Sequence, residues 1–559
     1  MNTTSRQQTR RVRAVPLSRR GVVRGAAGMV ALGGLLGSPA TPLARSALVR
    51  AQGEESTLTV ASYGSPVDLD PHSAAEDRSA MAIRGAYEQL IALKGETTDE
   101  YEGLIAERWE ANDDQSVWTF HLRPGVTFHD GSPCDAEAVR ASFERLLTLS
   151  LAPGYEMARF LSDPEQITAP DPLTVVFTLD RPQPLFEAAV SSQYGGQIVN
   201  ARRLKELESE GDWGHGFAEL NQEGLGTGPY RITSFEPEQQ VILERFDGYW
   251  RDWQPGQFDQ VVIRVVPESA ARRQLVERGD ADIVDGLDPE ALEALEHDPE
   301  VVVDHSYSTE VDYIILTVAG PLQSLEARQA MCYAFPYDEV IEGIYKGYGK
   351  RAVGPVAELC RGFAPGTFQY QTDLAKAKEL LAQAGVAEGT ELTLMMDAGD
   401  AADAATVQLF QANLAEIGIA LSVETVTFGT LTGVLFRDVA PEEQPNLMQW
   451  GWWPAYNDAW SHLQAQVLCS AQGSAGTNAG YYCNPRVDEL LTQALDATDP
   501  ATYEKALTEA QQILSRDDPP AIYYLQPQWS TVLRSDIQGF AFNPIYVGTF
   551  DFFGLRRDV

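Results

Sequence analysis

The hydrophobic period of the chain changes near Val311, and that change demands two parts built on different plans. From Thr57 to about Pro267 short alternations dominate: Trp118, Phe120 and Leu122 alternate in VWTFHLRPG, and LTVVFTL, QVILERF and DQVVIRVVP follow in turn. A period of two marks half-buried strands, so this part reads as a sheet-rich lobe. A helix interrupts it at DAEAVRASFERLLTL, where Asp135 is the expected N-cap and Ala138, Phe143, Leu146 and Leu147 recur at helical spacing. Beyond Val311 strands and helices alternate. The helix DLAKAKELLAQAG ends at Gly385, ELTLMM follows as a strand, a helix from Ala402 to Ile417 stops at Gly418, and IALSVETVTF resumes the strand. PNLMQWGWW then supplies a strand whose carboxyl end is dense in aromatic rings. This order predicts an α/β lobe, and ligands of open α/β sheets sit beyond the carboxyl ends of strands.

The first residues carry an address. SRRGVVR, from Ser18 to Arg24, sets a twin arginine before GAAGMVALGGLLG, a stretch shorter and less apolar than a bilayer span requires. Residues 1–51 therefore read as a Tat-type signal peptide, with Ser38 and Ala40 offering a second small-residue cleavage site. The expected location is outside the cytoplasm, periplasmic or at the extracellular face of the membrane. No cysteine precedes Cys134, so the acylated cysteine of a lipoprotein is missing. Residues 1–51 hold nine arginines and no acid, which leaves 33 basic against 80 acidic residues in the exported part. A field that negative repels nucleic acid and anionic lipid, so neither is an expected partner, and the expected state is a soluble monomer.

Five cysteines in an exported chain permit disulfides, and a bridge from Cys469 to Cys483 would staple the Gly/Ser/Asn-rich loop between them. Cys134, Cys332 and Cys360 read as buried thiols. Catalytic patterns are missing: there is no Gly-x-Ser-x-Gly elbow, no Walker loop and no His-Glu-x-x-His. GLGTGPY has the glycines of a dinucleotide loop, yet Pro229 and the strand that follows make it a turn. The seven histidines are scattered without metal-ligand spacing, and the acidic stretch DADIVDGLD, with Val284 where a calcium loop needs oxygen, reads as a solvated strand and turn.

Seven ordered stretches carry a resemblance: LDPH from Leu69, AYEQLI from Ala86, LRPGVTFHDGSPCDAEAV from Leu122, GTGPYRI from Gly226, FDGYW from Phe246, ARQAMCYAF from Ala327 and DLAKAKELLAQAG from Asp373. Together they resemble the extracellular solute-binding proteins of family 5, the dipeptide, oligopeptide and nickel receptors of ABC importers. The resemblance implies an α/β, bilobal, periplasmic-binding-protein-like fold of type II, with a ligand cleft between the lobes. It implies a lobe one of residues 52–308 plus 527–559, bearing an inserted subdomain at about 96–215, and a lobe two of residues 309–526. It further implies a binding protein that closes on a small ligand and docks on permease subunits, with no catalytic residue, cofactor or metal.

By the same resemblance the site centres on WGWWPAYNDAWSHL, and the ligand contacts expected are Trp450, Trp452, Trp453, Tyr456, Asn457 and Asp458. Trp452 falls on the family's cleft tryptophan. The acidic residue that pairs with a peptide's terminal amine falls on Ala455, with Asp458 the nearest acid, and some oligopeptide receptors carry arginine where this chain has Gln449. A peptide or peptide-like ligand is expected. The alternatives are an oligosaccharide stacked on the aromatic rings, a nickel chelate, or a secreted enzyme on the same fold. Trp450 and Trp453 have a plain reading as core, and His462 as a helix-surface or lobe-interface residue.

Overall fold

The computed structural model describes residues 56–220, 223–398, 401–473 and 476–558; the signal segment 1–51 lies outside them. Twelve strands share one mixed sheet, and its spatial order explains the two lobes. Ile419–Val426, Thr390–Asp397, Leu447–Trp452 and Val311–Leu316 lie on one side of the long strand Ala521–Arg534; Ile283–Val284, Thr57–Ser62, Gln260–Val265, Gln240–Arg245 and Tyr230–Glu236 lie on the other.

The long strand belongs to both lobes because its partners change along its length. Ala521 to Leu525 pair with Val311–Leu316, whereas Gln528 to Arg534 pair with Val301–Tyr307. Pro527, which has no N–H for a ladder, sits at the change of partner opposite Gly349. Beside it the Gln526 Nε2 donates to the Ser308 carbonyl at 3.0 Å, tying the two chain crossings together.

Lobe one adds a four-stranded antiparallel sheet of Ala106–Ala111, Val117–Leu122, Thr174–Thr178 and Ile167–Asp171. Helix Ala136–Leu149 packs on it, and Asp135 caps that helix by accepting from the Ala138 N–H at 2.8 Å, as its sequence predicts. The inward faces of these strands bury Trp118, Phe120, Phe177 and Phe143 in one aromatic core. In lobe two the helix Ala401–Glu416 joins the parallel strands Thr390–Asp397 and Ile419–Val426, the α/β unit expected from the alternating pattern. Cys469 and Cys483 form the disulfide, and Cys134, Cys332 and Cys360 are buried thiols.

One expectation is overturned. The acidic stretch 280–288 does hold a strand, Ile283–Val284, with Asp280 exposed, but its middle is not solvated: that strand lies inside the sheet, and Asp285 directly after it is fully buried. Its two apolar residues pair with Thr57–Ser62 and the long strand, and that pairing draws the following carboxylate inward.

Candidate functional site

Parallel strands of both lobes deliver their carboxyl ends to the site. In lobe one Thr57–Ser62 runs parallel to Gln260–Val265 and Ile283–Val284, so Tyr63 and Asp285 follow neighbouring strand ends. In lobe two Thr390–Asp397 runs parallel to Ile419–Val426 and Leu447–Trp452, which brings Asp397, Phe428 and Trp453 to the same kind of position. Side chains from the two sets meet. The Arg78 guanidinium of lobe one lies 4.3 Å from the centroid of the Tyr63 ring and 4.5 Å from that of Phe428 in lobe two. A cation between two aromatic faces gains from both rings, more so when water is excluded.

The six expected contacts divide into two groups. Trp450, half-buried, stacks on Phe428 with ring centroids 5.8 Å apart and meets Phe436 edge-on. Trp452 closes its strand opposite Val311, half-buried, and its buried indole N–H has no acceptor. Trp453 donates its indole N–H to the Tyr194 hydroxyl of lobe one at 3.0 Å. Of the three, Trp453 bonds across the lobes, while Trp450 and Trp452 pack on lobe two's own core.

The other three are engaged elsewhere. Tyr456 is buried in the aromatic core of the four-stranded sheet, 6.2 Å from the ring of Phe160. The Asn457 amide donates to the Thr98 carbonyl at 2.9 Å and its oxygen accepts from the Arg361 N–H. Asp458 is fully buried; it caps helix Ala459–Val467 through the Trp460 N–H at 2.7 Å, accepts from the Arg361 Nε at 2.9 Å and from the Tyr503 hydroxyl. Burial raises its pKa, and the Arg361 charge opposes the rise. Its carboxylate is thus committed to lobe two's own structure. Trp460 is core, donating to the Leu491 carbonyl.

Ala455 itself is a lobe contact. Its methyl group packs against the aromatic core of the four-stranded sheet and its carbonyl accepts from the Ser192 hydroxyl at 2.7 Å. His462 is buried on its helix with Nε2 3.3 Å from the Thr309 carbonyl, beside the chain crossing, and burial lowers its pKa to about 4. Two cavities of about 20 Å3, both lined by Ala521 and Tyr523, lie within lobe two; each has room for a water or two.

The lobe-one wall is rich in charge that sequence inspection passed over. Glu76 caps helix Asp77–Ala86 by accepting from the Arg78 and Ser79 N–H groups at 2.8 and 2.9 Å. Asp77 accepts from the Tyr63 hydroxyl at 2.5 Å and lies 3.4 Å from Arg78. Asp285 receives no hydrogen bond of normal geometry on either oxygen, although the Tyr63 backbone N–H is near enough to lower its pKa. Arg272 faces it while giving its own donors to the carbonyls of Asp285, Gly286, Val266 and Pro267. Burial, above all, pushes Glu76 and Asp285 each up to about 7. The acid pair before an apolar run at Glu76 and Asp77 is a helix-start signal; nothing in the local sequence ties Asp285 to it across two hundred residues.

A sequence profile of the bacterial extracellular solute-binding proteins, family 5 Middle, matches residues 100–474. The chain is 30% identical over 501 residues to a probable D,D-dipeptide-binding periplasmic protein, DdpA, of Escherichia coli (strain K12), covering 88% of this chain and 93% of that protein. It is 25% identical over 529 residues to the dipeptide-binding protein of the same strain, covering 89% and 94%. Among solved structures, the periplasmic binding protein DppA from Helicobacter pylori in complex with peptide STSA superposes with a TM-score of 0.80 at 25% identity, covering 91% of this chain and all of that one.

Proposed function

The chain belongs to the bacterial extracellular solute-binding proteins of family 5, and from that membership we propose that it captures a peptide or peptide-like solute between its lobes and delivers it to the permease of an ABC importer. The named relatives support a small peptide as cargo, since the first two are described as dipeptide-binding and the third holds a peptide. Function is then a matter of closure: a ligand touching both lobes favours the closed form, and the permease reads that form.

The observation that carries this reading is the seam of side chains at the strand ends, with Trp453 bonded to Tyr194 and Arg78 held between Tyr63 and Phe428. We assign the ligand wall of lobe two to Trp450, Trp452 and Trp453, and give Tyr456, Asn457 and Asp458 the task of holding the lobes and the helix start in register. The hinge is assigned to the crossings at 308–309 and 526–527, where the long strand changes partners. An oligosaccharide is less well supported, because the named relatives are described as dipeptide-binding or hold a peptide. Export follows the twin arginine: replacing Arg19 and Arg20 by lysine should hold the precursor in the cytoplasm, and unchanged export would remove the Tat assignment.

Thermal unfolding of the exported protein against separate pools of dipeptides and oligosaccharides tests the cargo. A dipeptide at one hundred times its dissociation constant should add about 2.7 kcal/mol of stability. A shift with oligosaccharides alone would overturn the peptide reading.

A further inference from the structure

The lobe-two position where the family resemblance expects a carboxylate for the ligand's amine is Ala455, and the nearest acid, Asp458, is consumed by Arg361, Tyr503 and a helix start. Lobe one carries the complementary feature. Asp285 feels Arg272, Arg78 and Asp77, and Glu76 lies beside Asp77 and Arg78, so acids and arginines alternate along this wall. Asp397 of lobe two adds a further negative charge within reach of Arg78.

The arginines present are already placed. Arg78 is pinned between the Tyr63 and Phe428 rings, and Arg272 spends its donors on four backbone carbonyls. Asp285 is the group left over: it is 0% exposed and no hydrogen bond of normal geometry reaches either oxygen. Arg272 and Arg78 offset this buried carboxylate through space but give it no hydrogen bond of normal geometry, so a donor cation supplied from outside would be drawn to it. The backbone leaves room for close packing here. A Cβ on Gly286, whose φ is +59°, would come within 2.7 Å of the Tyr63 ring.

We propose that lobe one holds the cationic group of the ligand, an ammonium on a peptide or another amine, at Asp285 with Asp77 beside it, in place of the acid that lobe two lacks at Ala455. The inference rests on capture between the lobes and names the chemistry of one end of that ligand. Position supports it: Asp285 and Tyr63 follow adjacent parallel strand ends, and the Tyr194 hydroxyl, which feels the charges of Asp77 and Glu76, is the one that meets Trp453 of lobe two. Burial first, and Asp77 after it, raise the carboxyl pKa values of Glu76 and Asp285, and a cation bound beside them would lower both. Among the described residues no three His, Cys, Asp or Glu side chains converge tightly enough for a metal ion, which favours an ammonium with its looser geometry.

The test compares calorimetric affinities of the exported protein for dipeptides with a free amine and for the same dipeptides N-acetylated, in the wild type, Asp285→Asn and Asp77→Asn. The wild type should prefer the free amine, and Asp285→Asn should cut that preference by about 30-fold or more while leaving affinity for the acetylated form in place. Asp77→Asn gives the same readout if Asp285→Asn fails to fold. An unchanged preference in both folded variants overturns the lobe-one subsite and leaves peptide capture standing. If no dipeptide binds in either form, peptide capture fails, and diamines set against neutral diols of equal length decide the subsite: diamine binding lost in Asp285→Asn supports it, and binding of diols alone, or of neither, overturns it.

Discussion

Replacing Trp453 by Phe should open the lobes by a definite amount. The indole N–H donates to the Tyr194 hydroxyl at 3.0 Å, and Phe keeps a ring at the seam while removing the donor. A hydrogen bond of this kind contributes about 1 kcal/mol net, so the closed form should lose about fivefold against the open form. Closure should not vanish, because Ser192 still bonds the Ala455 carbonyl at 2.7 Å and Asn457 still bonds Thr98 at 2.9 Å. Small-angle scattering on the ligand-free protein reads the shift as a larger radius of gyration. A cycle with Tyr194→Phe separates the bond from the lost ring area: the double variant should open no further than about the single one, with a coupling of about 0.5–1.5 kcal/mol. A coupling near zero would refute the claim that this bond joins the lobes.

The remaining predictions concern the frame that holds the site. Changing Cys469 and Cys483 to serine should lower stability by about 3 kcal/mol, since the bridge closes a loop with a sequence separation of 14, and denaturation with and without reductant checks it. Arg145→Met should cost about 3 kcal/mol by leaving the fully buried Asp70 carboxylate with only His215 as a side-chain partner, read as a fall in the denaturation midpoint. Glu88 is buried against Tyr249 and Trp250, and burial raises its pKa to about 7. Its folded value therefore lies above its unfolded one, so its contribution is full below about pH 4.5 and is lost as pH rises through 7. Glu88→Gln should raise the melting temperature more at pH 8 than at pH 5; an equal effect at both would contradict the assignment.

Much of the fold was legible because it is written locally. The period-two strands before Pro267, the Asp135 cap and the strand–helix alternation beyond Val311 all describe neighbours in sequence, and the fold contains each of them. The Cys469–Cys483 bridge was legible for the same reason, as two cysteines around a small-residue loop. The site was legible only in part. Trp450, Trp452 and Trp453 follow from an aromatic strand end, but Asp458 is occupied by Arg361, a residue 97 positions away, and no local pattern announces that pairing. Asp285 was misread because acidic residues near a turn are usually solvated; its burial comes from strand partners at Thr57–Ser62 and Ala521–Arg534, far along the chain in both directions.

The most direct test of the account is small-angle scattering of the exported protein with and without a dipeptide that stabilises it in thermal unfolding. The account predicts a smaller radius of gyration with the dipeptide bound, and weaker compaction when Gln526→Ala loosens the crossing held by the Ser308 carbonyl. A dipeptide that binds and stabilises without any compaction would contradict capture by lobe closure.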